Sequence, residues 1–251
     1  MAACLRSVWT RVGRLRLHAR ASTWPTEPGA PTAVLVHGFV VSSAYMVPTA
    51  LRLRPRWRVF APDLPGFGAS DHPGRPPTVP GLADALAGWM TANNLRQATL
   101  LGNSLGCQVV VDLALRYPDL AARLVLAGPT VDPAARSVKR QLGRLLVDVP
   151  RERPSLLALH ARDWLRAGPR EILDTMRATV DDRIEEKLPR VGVPTLVVVG
   201  GCDPLVPPAW ARRAAELLPR GRLVVVPGAP HALNYSAPAA LVRAMNQLGT
   251  P

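Results

Sequence analysis

Cysteine is scarce in this sequence, because Cys4, Cys107 and Cys202 are the only three among 251 residues. The number is odd and the positions lie far apart. Neither a Cys-x-x-Cys pair nor a cysteine–histidine metal spacing occurs. We therefore expect no disulfide framework and no bound metal, and a reducing cytoplasm is the simplest compartment.

Long apolar runs are also absent, and none approaches the length that a membrane-spanning helix requires. Residues 1–22 contain arginines throughout and no uninterrupted apolar core before a small-residue cleavage site, so a secretory signal is not expected. The sequence predicts a cytoplasmic protein without a membrane span, either a monomer or a homodimer.

Lysine is nearly absent, with only Lys139 and Lys187, although the formal net charge is +13. The positive charge is almost entirely arginine, scattered among 27 prolines, which is typical of the codon bias of a GC-rich genome. The densest cluster consists of Arg52, Arg54, Arg56 and Arg58. It lacks the interleaved aromatic residues of a nucleic-acid surface, so we interpret it as a solvated loop and expect no nucleic-acid partner. Salt-sensitive binding to nucleic acid or to an anionic membrane would contradict that interpretation.

Short apolar runs rich in β-formers alternate with amphipathic stretches, and 48% of the residues are hydrophobic. This alternation predicts an α/β fold, with a mostly parallel central sheet of about eight strands flanked by helices. An edge strand or hairpin is expected within 12–21. Buried strands are expected at 33–36, 59–61, 98–101, 124–127, 196–199 and 223–226, and helices at 81–94, 105–117, 209–218 and 237–248.

One segment has no strand-like run and carries arginine-rich amphipathic stretches at 138–147, 155–166 and 170–178. We interpret it as a small helical insertion after the sixth strand. The predicted organisation is a first part of the core at 1–130, the insertion at 131–190 and a second part of the core at 191–251. The proline-rich stretch 73–80 is interpreted as an ordered loop.

The most informative motif is Gly102-Asn103-Ser104-Leu105-Gly106, directly after the apolar run 98–101. A Gly-x-Ser-x-Gly sequence between a strand and a helix is typical of a sharp turn that exposes a nucleophilic serine. Strand and helix backbones crowd together two positions on either side, where glycine avoids a steric clash. The motif indicates acyl transfer with Ser104 as the nucleophile.

Two later loops supply the residue types that such a serine needs. Asp203 follows the strand 196–199, and His231 follows the last strand. Imidazole, with an ordinary pKa near 6.5, can take and return a proton at neutral pH, and a carboxylate can fix its tautomer. Asp132, after the strand 124–127, is an alternative acid.

The sequence His37-Gly38-Phe39 lies at the end of the strand 33–36. A main-chain N–H group at Phe39 could complete an oxyanion hole with the N–H group of Leu105, directly after the nucleophile. We expect the side chain of His37 only to hold this loop by hydrogen bonds.

Five stretches together resemble the α/β-hydrolase-fold serine hydrolases: H-G-F at 37–39, P-D-L-P-G-F-G-A-S-D at 62–71, G-N-S-L-G at 102–106, G-C-D-P at 201–204 and P-H-A-L at 230–233. The similarity runs from about residue 12 to residue 248. It implies Ser104 as nucleophile, His231 as base, Asp203 as orienting acid and an oxyanion hole at Phe39 and Leu105. Cys107 departs from the second glycine of many relatives, and some relatives use an acid at the position of Asp132.

The resemblance also implies that residues 131–190 form a helical cap over the site. This segment offers few polar side chains that could hold a substrate. They are His160, Asp163, Trp164 and Arg177. We interpret Trp164 as a core residue and the charged side chains as solvated.

The predicted reaction is carboxylic ester hydrolysis on small to medium substrates through an acyl-enzyme, without metal or organic cofactor. The same residues would serve carbon–carbon bond, lactone or thioester cleavage, or cofactor-free perhydrolysis. A small-molecule receptor that kept the triad but lost turnover is the alternative from another class. Failure of a fluorophosphonate probe to label Ser104 would favour the receptor.

Overall fold

The computed structural model describes residues 5–24, 26–74, 76 and 78–247. Cys4, Pro77 in the predicted proline-rich loop and Leu248 at the end of the last predicted helix lie outside the described residues. The strands are β1 (Leu5–Val12), β2 (Leu15–Ser22), β3 (Thr32–Val36), β4 (Arg58–Pro62), β5 (Ala98–Asn103), β6 (Ala121–Ala127), β7 (Thr195–Gly200) and β8 (Gly221–Val226).

These strands form a single sheet in the order β1-β2-β4-β3-β5-β6-β7-β8. β2 pairs antiparallel with β1 and β4, and all other neighbours are parallel. Every residue of β5 and β7 is buried, as expected for central parallel strands covered on both faces. The predicted α/β class and the mostly parallel eight-stranded sheet are confirmed.

The hairpin at the sheet edge begins earlier than the sequence predicts. The expected 12–21 strand corresponds to β2, and Gly13, with a φ of +57°, allows the turn back to β1. Most residues of β1 are only partly buried or exposed, so its apolar pattern is weak. The edge position explains why this strand escaped prediction.

Helices cover both faces of the sheet. They are α1 (Val47–Arg52), α2 (Val79–Ala92), α3 (Leu105–Arg116), α4 (Val138–Asp148), α5 (Pro154–Asp181), α6 (Ile184–Lys187), α7 (Pro208–Leu217), α8 (Leu233–Ser236) and α9 (Pro238–Asn246). Single 3-10 turns occur at Ser43–Met46, Pro118–Leu120, Pro133–Ala135, Val149–Arg151 and Leu188–Arg190. α2, α3 and α7 contribute to one apolar cluster, and α1 and α9 to the other. None of the helices in the described ranges is both long and apolar enough to cross a membrane.

Two helix boundaries differ from the prediction. α2 starts at Val79, so the predicted loop 73–80 ends earlier, because Thr78 caps the helix by accepting the N–H of Gly81 and a proline fits the first turn. The helices expected at 155–166 and 170–178 form one helix, α5, which is interrupted at Gly168, where φ is 76° and ψ is 166°.

The chain between β6 and β7 carries α4, α5, α6 and three 3-10 turns, and its residues 128–194, all described, contain no strand. Arg136 pairs with Glu185 at 2.6 Å inside this segment, and Gln108 of α3 donates to the carbonyl of Thr179 at 2.8 Å. The segment therefore packs on the helices of the core. Its division from the core at 131 and 190 stays a prediction.

The four residues of the arginine cluster are all exposed: Arg52 ends α1, Arg58 begins β4, and Arg54 and Arg56 lie in the loop between them. The predicted solvated loop therefore contains only the middle two arginines, and the outer two belong to a helix and a strand. Arg54 and Arg58 stack over the rings of Trp24 and Phe60, which gives two of them a local packing partner.

Asp63, directly after β4, joins three parts of the chain. Its carboxylate lies 2.8 Å from Nδ1 of His18 on β2 and accepts the N–H groups of Ser43 and Ala69. Burial alone would raise the pKa of this carboxyl, but the hydrogen bond from His18, the nearby His37 and the two amides outweigh burial and lower it to about 2.

We predict that Asp63→Ala lowers the free energy of unfolding by about 3–5 kcal/mol at pH 7, because it leaves buried donors without an acceptor. The folded pKa lies below the unfolded value near 3.9, so the stabilisation is present above that pH and is lost as the pH falls toward 2. Urea denaturation measures the difference. Asp119→Ala, at an exposed carboxylate, is the control and should change stability by less than about 0.5 kcal/mol.

Candidate active site

The predicted site residues meet at one edge of the sheet. Ser104 follows β5, Asp203 follows β7 and His231 follows β8, while residues 37–39 follow β3. Because these strands are parallel, their carboxyl ends lie on the same side, where ligands bind in open α/β sheets.

Ser104 occupies the tight turn that its neighbours predict. Its φ is 54° and its ψ is −121°, a conformation that side-chain-bearing residues rarely adopt. A methyl group at Gly102 would lie 2.3 Å from the carbonyl oxygen of Gly106, and one at Gly106 would lie 2.5 Å from that of Val36. The two glycines therefore permit three backbones to approach each other at the serine.

The hydroxyl of Ser104 lies 3.4 Å from the hydroxyl of Thr130, a residue that the sequence did not single out. Among the described residues, no hydrogen bond joins Ser104 Oγ to His231. Both side chains line the same cavity, which has a volume of about 630 Å³ including the space open to solvent. Hydrogen bonds between catalytic residues are often long before a substrate binds.

His231 is paired with Asp203. Nδ1 of the imidazole lies 2.8 Å from Oδ2 of Asp203, and Oδ1 of the same carboxylate accepts the N–H groups of Leu205 and Val206. Nε2 of His231 is buried and has no hydrogen-bond partner within the described ranges. The ring is therefore held through Nδ1, while Nε2 is left to accept a proton.

The alternative acid, Asp132, does not contact His231. Its carboxylate accepts the N–H of Ala134 and pairs with Arg144 of α4 at 2.9 Å. Of the two acids considered from the sequence, only Asp203 bonds to the histidine.

The charges around His231 favour its protonated form. Burial lowers the pKa of this imidazole, but the carboxylate of Asp203, with added effects from Asp148 and Glu152, outweighs burial and raises the pKa to about 9. The neutral imidazole that can accept a proton at Nε2 therefore becomes more abundant as the pH rises above 7.

The loop after β3 lies against the serine. A methyl group at Gly38 would be 3.2 Å from Cβ of Ser104. His37 is fully buried, with Nδ1 3.0 Å from the carbonyl of Gly38 and Nε2 accepting the N–H of Leu64, so its side chain holds the loop as expected. Phe39 lines the cavity, and Leu105 is the first residue of α3, whose initial N–H groups lack partners within the helix.

Sequence reasoning missed Asn103, which links the serine strand to the histidine loop. Its Nδ2 donates to the carbonyls of Ala127 (3.0 Å) and His231 (3.3 Å), and its Oδ1 accepts the hydroxyl of Tyr45 (2.8 Å). The available signal was an amide at the end of an otherwise apolar, fully buried strand.

The side chains of α4 and α5 form the opposite wall of the cavity. Trp164 packs against the core, as expected, but it also lines the cavity beside His160. Burial lowers the pKa of His160 to about 4, against the attraction of Asp163, so the ring is neutral at pH 7.

The prediction that the charged side chains of this segment are solvated is wrong for Asp163. Its side chain is only 4% exposed and pairs with Arg162 at 2.8 Å, because it shares the inward face of α5 with His160 and Trp164. Arg177 is 60% exposed, pairs with Asp174 and does not line the cavity.

Two acidic residues in the cavity wall also escaped the sequence analysis. Asp148, at the end of α4, and Glu152, just before α5, are both buried and line the cavity with Ser104. They stand among arginines in the sequence, a pattern typical of a solvated helix face. No lysine or arginine within the described ranges lines this cavity.

Cys107 does not disturb the start of α3, which begins directly at Leu105. Its thiol is fully buried, with Sγ 3.2 Å from the carbonyl of Gly102. Across the part of the chain that the structure describes, no group of three or more histidine, cysteine, aspartate or glutamate side chains is placed to hold a metal ion.

Comparison with known proteins identifies one matching family model and several similar hydrolases. The model of the "Alpha/beta hydrolase family" matches residues 33–244. A 2-(acetamidomethylene)succinate hydrolase from Mesorhizobium japonicum is 27% identical over 93% of this chain and 91% of its own length. A pimeloyl-[acyl-carrier protein] methyl ester esterase from Chromobacterium violaceum is 27% identical over 86% and 92%. The crystal structure of a hydrolase from Pseudomonas aeruginosa PA01 superposes with a TM-score of 0.80, at 26% identity over all of both chains.

Gly128, directly after β6, allows the histidine and the acid to pack against the main chain. Its φ is +62°, and a methyl group there would lie 3.0 Å from Cε1 of His231 and 3.3 Å from Oδ2 of Asp203. We predict that Gly128→Ala lowers the free energy of unfolding by about 1–3 kcal/mol, because an alanine is strained in this conformation. The variant should also lower the pKa of His231 by separating it from Asp203.

Chemical denaturation and an NMR titration of the imidazole measure the two effects. The matched control is Gly143→Ala in α4, where a methyl group would meet nothing within 4 Å. It should leave the titration unchanged and raise stability by up to about 1 kcal/mol. Equal effects of the two substitutions would contradict the role of Gly128.

Proposed function

The chain belongs to the alpha/beta hydrolase family, and we propose that it is a serine hydrolase that cleaves carboxylic esters through an acyl-enzyme. The observation that carries this proposal is the hydrogen bonding of the two ring nitrogens of His231. Its Nδ1 is bonded to Asp203 at 2.8 Å, its Nε2 is buried with no hydrogen-bond partner among the described residues, and the residue lines the same cavity as Ser104. A histidine held in this way is suited to act as a general base.

In the proposed mechanism, Nε2 of neutral His231 accepts the hydroxyl proton of Ser104 while Oγ attacks the ester carbonyl carbon. The resulting imidazolium is stabilised by Asp203, and it returns the proton to the departing alcohol as the C–O bond breaks. A water molecule then gives one proton to His231 while its oxygen attacks the acyl carbon. The bond between that carbon and Ser104 Oγ breaks, the imidazolium returns the proton to Oγ, and the acid is released.

The oxyanion of each tetrahedral intermediate is assigned to the main-chain N–H groups of Phe39 and Leu105. Two features support this assignment: the loop that contains Phe39 lies against Ser104, and Leu105 is the first residue of α3. Donors that are fixed before the reaction stabilise developing charge without reorganisation.

We also propose that residues 131–190 act as the cap of this site. Side chains of α4 and α5, including Leu145, Trp164 and Met176, line the cavity opposite Ser104. In this proposal, the part of the wall that the inserted segment contributes selects the substrates, whereas the core supplies the catalytic residues.

The substrate class follows from the wall of the cavity. Apolar side chains such as Phe39, Leu145 and Met176 line it together with two buried carboxylates, Asp148 and Glu152. No cationic lysine or arginine of the described residues faces it. We therefore propose uncharged esters as substrates. One relative is named for a succinate, which is a dicarboxylate, and this cavity is unsuited to such an anion.

We predict that the protein hydrolyses p-nitrophenyl esters, and that Ser104→Ala lowers kcat at least about 10⁴-fold because the nucleophile is removed. Release of p-nitrophenolate over acyl chains of two to sixteen carbons measures the activity. A fluorophosphonate probe should label the wild type but not the variant. Cys202→Ala removes an exposed thiol next to Asp203 and should retain both activity and labelling.

Equal rates for the wild type and Ser104→Ala would contradict the serine mechanism. Labelling of Ser104 without hydrolysis of any ester would favour carbon–carbon bond, lactone or thioester cleavage. Absence of both would favour a non-enzymatic receptor.

A second prediction tests the substrate charge. Dimethyl glutarate should be hydrolysed to monomethyl glutarate, and kcat/KM for the anionic monoester should be at least tenfold lower, because its carboxylate meets Asp148 and Glu152. A tenfold ratio corresponds to about 1.4 kcal/mol. Methyl valerate, which has one ester and no charge, is the control and should be cleaved at a rate similar to the diester. Acid release at constant pH measures all three, and equal rates for the two glutarate esters would contradict the proposed substrate class.

A further inference from the structure

The inserted segment holds the histidine loop by its main chain. Asp148 Oδ1 accepts the N–H of His231 at 3.3 Å, and Glu152 Oε1 accepts the N–H of Ala232 at 2.7 Å. The second oxygen of Glu152 accepts the hydroxyl of Ser236 at 2.6 Å. We call Asp148 and Glu152 the carboxylate pair.

Two further hydrogen bonds join the same segments. Arg153 Nη2 donates to the carbonyl of Ser236 at 3.0 Å, and the hydroxyl of Tyr235 donates to Ser155 Oγ at 3.0 Å. Five hydrogen bonds thus connect residues 148–155 with residues 231–236. The connection covers the junction between α4 and α5 and the whole of α8.

The core holds the other side of the loop. Asn103 donates to the carbonyl of His231, Asp203 holds the ring through Nδ1, and Asn234 donates to the carbonyl of Tyr45 at 3.0 Å. The amide nitrogen of His231 is the remaining polar group of its main chain, and its acceptor comes from the insertion. The position of the base therefore depends on both segments.

Both members of the carboxylate pair are buried in the wall of the cavity, Asp148 with 4% and Glu152 with 8% of its surface exposed. A buried carboxylate loses its hydration, so its retention requires compensating hydrogen bonds. In this protein those hydrogen bonds are directed at the histidine loop. Burial raises the pKa of Asp148 to about 7, opposed by the positive charge of His231.

We propose that Asp148 and Glu152 are positioning residues for His231, which fix its loop from the inserted segment and so align Nε2 with Ser104. The inference rests on the proposed roles of Ser104 and His231. It goes beyond those roles because it assigns two tasks to the inserted segment. The segment lines the cavity, and it also holds the loop of His231 in place. A displacement of about 1 Å in a catalytic group costs on the order of 100-fold in rate.

The charge of the carboxylate pair acts on the same histidine. The titratable groups that face His231 are Asp203 from the loop after β7, Asp148 and Glu152 from the insertion, and His160 from α5. A carboxylate raises the pKa of His231, so removal of one negative charge lowers it. Because the neutral imidazole is the active form, the acid limb of kcat/KM, expected above pH 7 in the wild type, then moves to lower pH.

The test compares Glu152→Ala, Glu152→Gln and the control Glu186→Ala, which removes an exposed carboxylate paired with Arg183. We expect Glu152→Ala to lower kcat about 10- to 100-fold with KM changed less than about threefold, because the loop loses two acceptors. Glu152→Gln keeps an acceptor for the N–H of Ala232. It should retain most of kcat, while its acid limb moves to lower pH. Glu186→Ala should match the wild type in every measurement.

Two readouts do not depend on turnover. In Glu152→Ala, the amide of Ala232 should exchange its hydrogen faster, and the NMR titration of the His231 imidazole should move to lower pH. The His231 signal is identified by its loss in His231→Gln. Thermal denaturation monitors folding, and Glu152→Gln keeps the test valid if the alanine variant fails to fold.

The outcomes separate the two proposals. If the wild type neither hydrolyses esters nor reacts with the fluorophosphonate probe, the proposed function fails, while faster exchange and a shifted titration would still support the restraint on the loop. If the wild type is active and both Glu152 variants retain its kcat, amide exchange and His231 titration, the positioning role is overturned.

Discussion

The arrangement of the site depends on the close approach of three main chains around Ser104. The end of β5, the start of α3 and the end of β3 meet where Gly102 and Gly106 stand, and a single methyl group at either position would overlap a carbonyl oxygen. This contact places the serine in its uncommon conformation at the start of a helix. Other site residues are arranged around that fixed point, since β6, β7 and β8 continue the sheet from β5 as parallel neighbours. The packing of the whole sheet thus holds the backbone of Ser104 in its strained conformation.

Charge is the second organising feature. Asp203, Asp148 and Glu152 lie near the buried His231, and their negative charges together outweigh the effect of burial on its pKa. His160 lines the same cavity, and burial keeps it neutral at pH 7. The cavity therefore carries negative charge near the histidine and little charge elsewhere. Such a field favours an imidazolium, and so it would stabilise the charge separation that proton transfer from serine creates.

The central strands and most of the core helices could be predicted because their residues are buried continuously or at helical spacing, as in β5, β7 and α3. Ser104, Asp203 and His231 could be selected because each follows a predicted strand. β1 could not be predicted, since an edge strand that is mostly exposed has a weak apolar pattern. Asp148 and Glu152 were missed for a different reason: an acid among arginines is typical of a solvated helix, and only the tertiary structure shows that these two are buried against a distant loop.

The inserted segment lines the cavity and also bonds to the loop of His231. Asp148 and Glu152, at the junction of α4 and α5, have both properties. An exchange of the whole segment with that of a relative would therefore replace the wall and remove the restraints on the loop in one step, so selectivity and rate could not be altered separately. Met176 lines the cavity from the second half of α5, outside the stretch 148–155 that bonds to that loop, so a substitution there would change the wall and leave those hydrogen bonds in place. In the proposed enzyme, substrate choice could therefore diverge without loss of the histidine's support at wall residues outside that stretch.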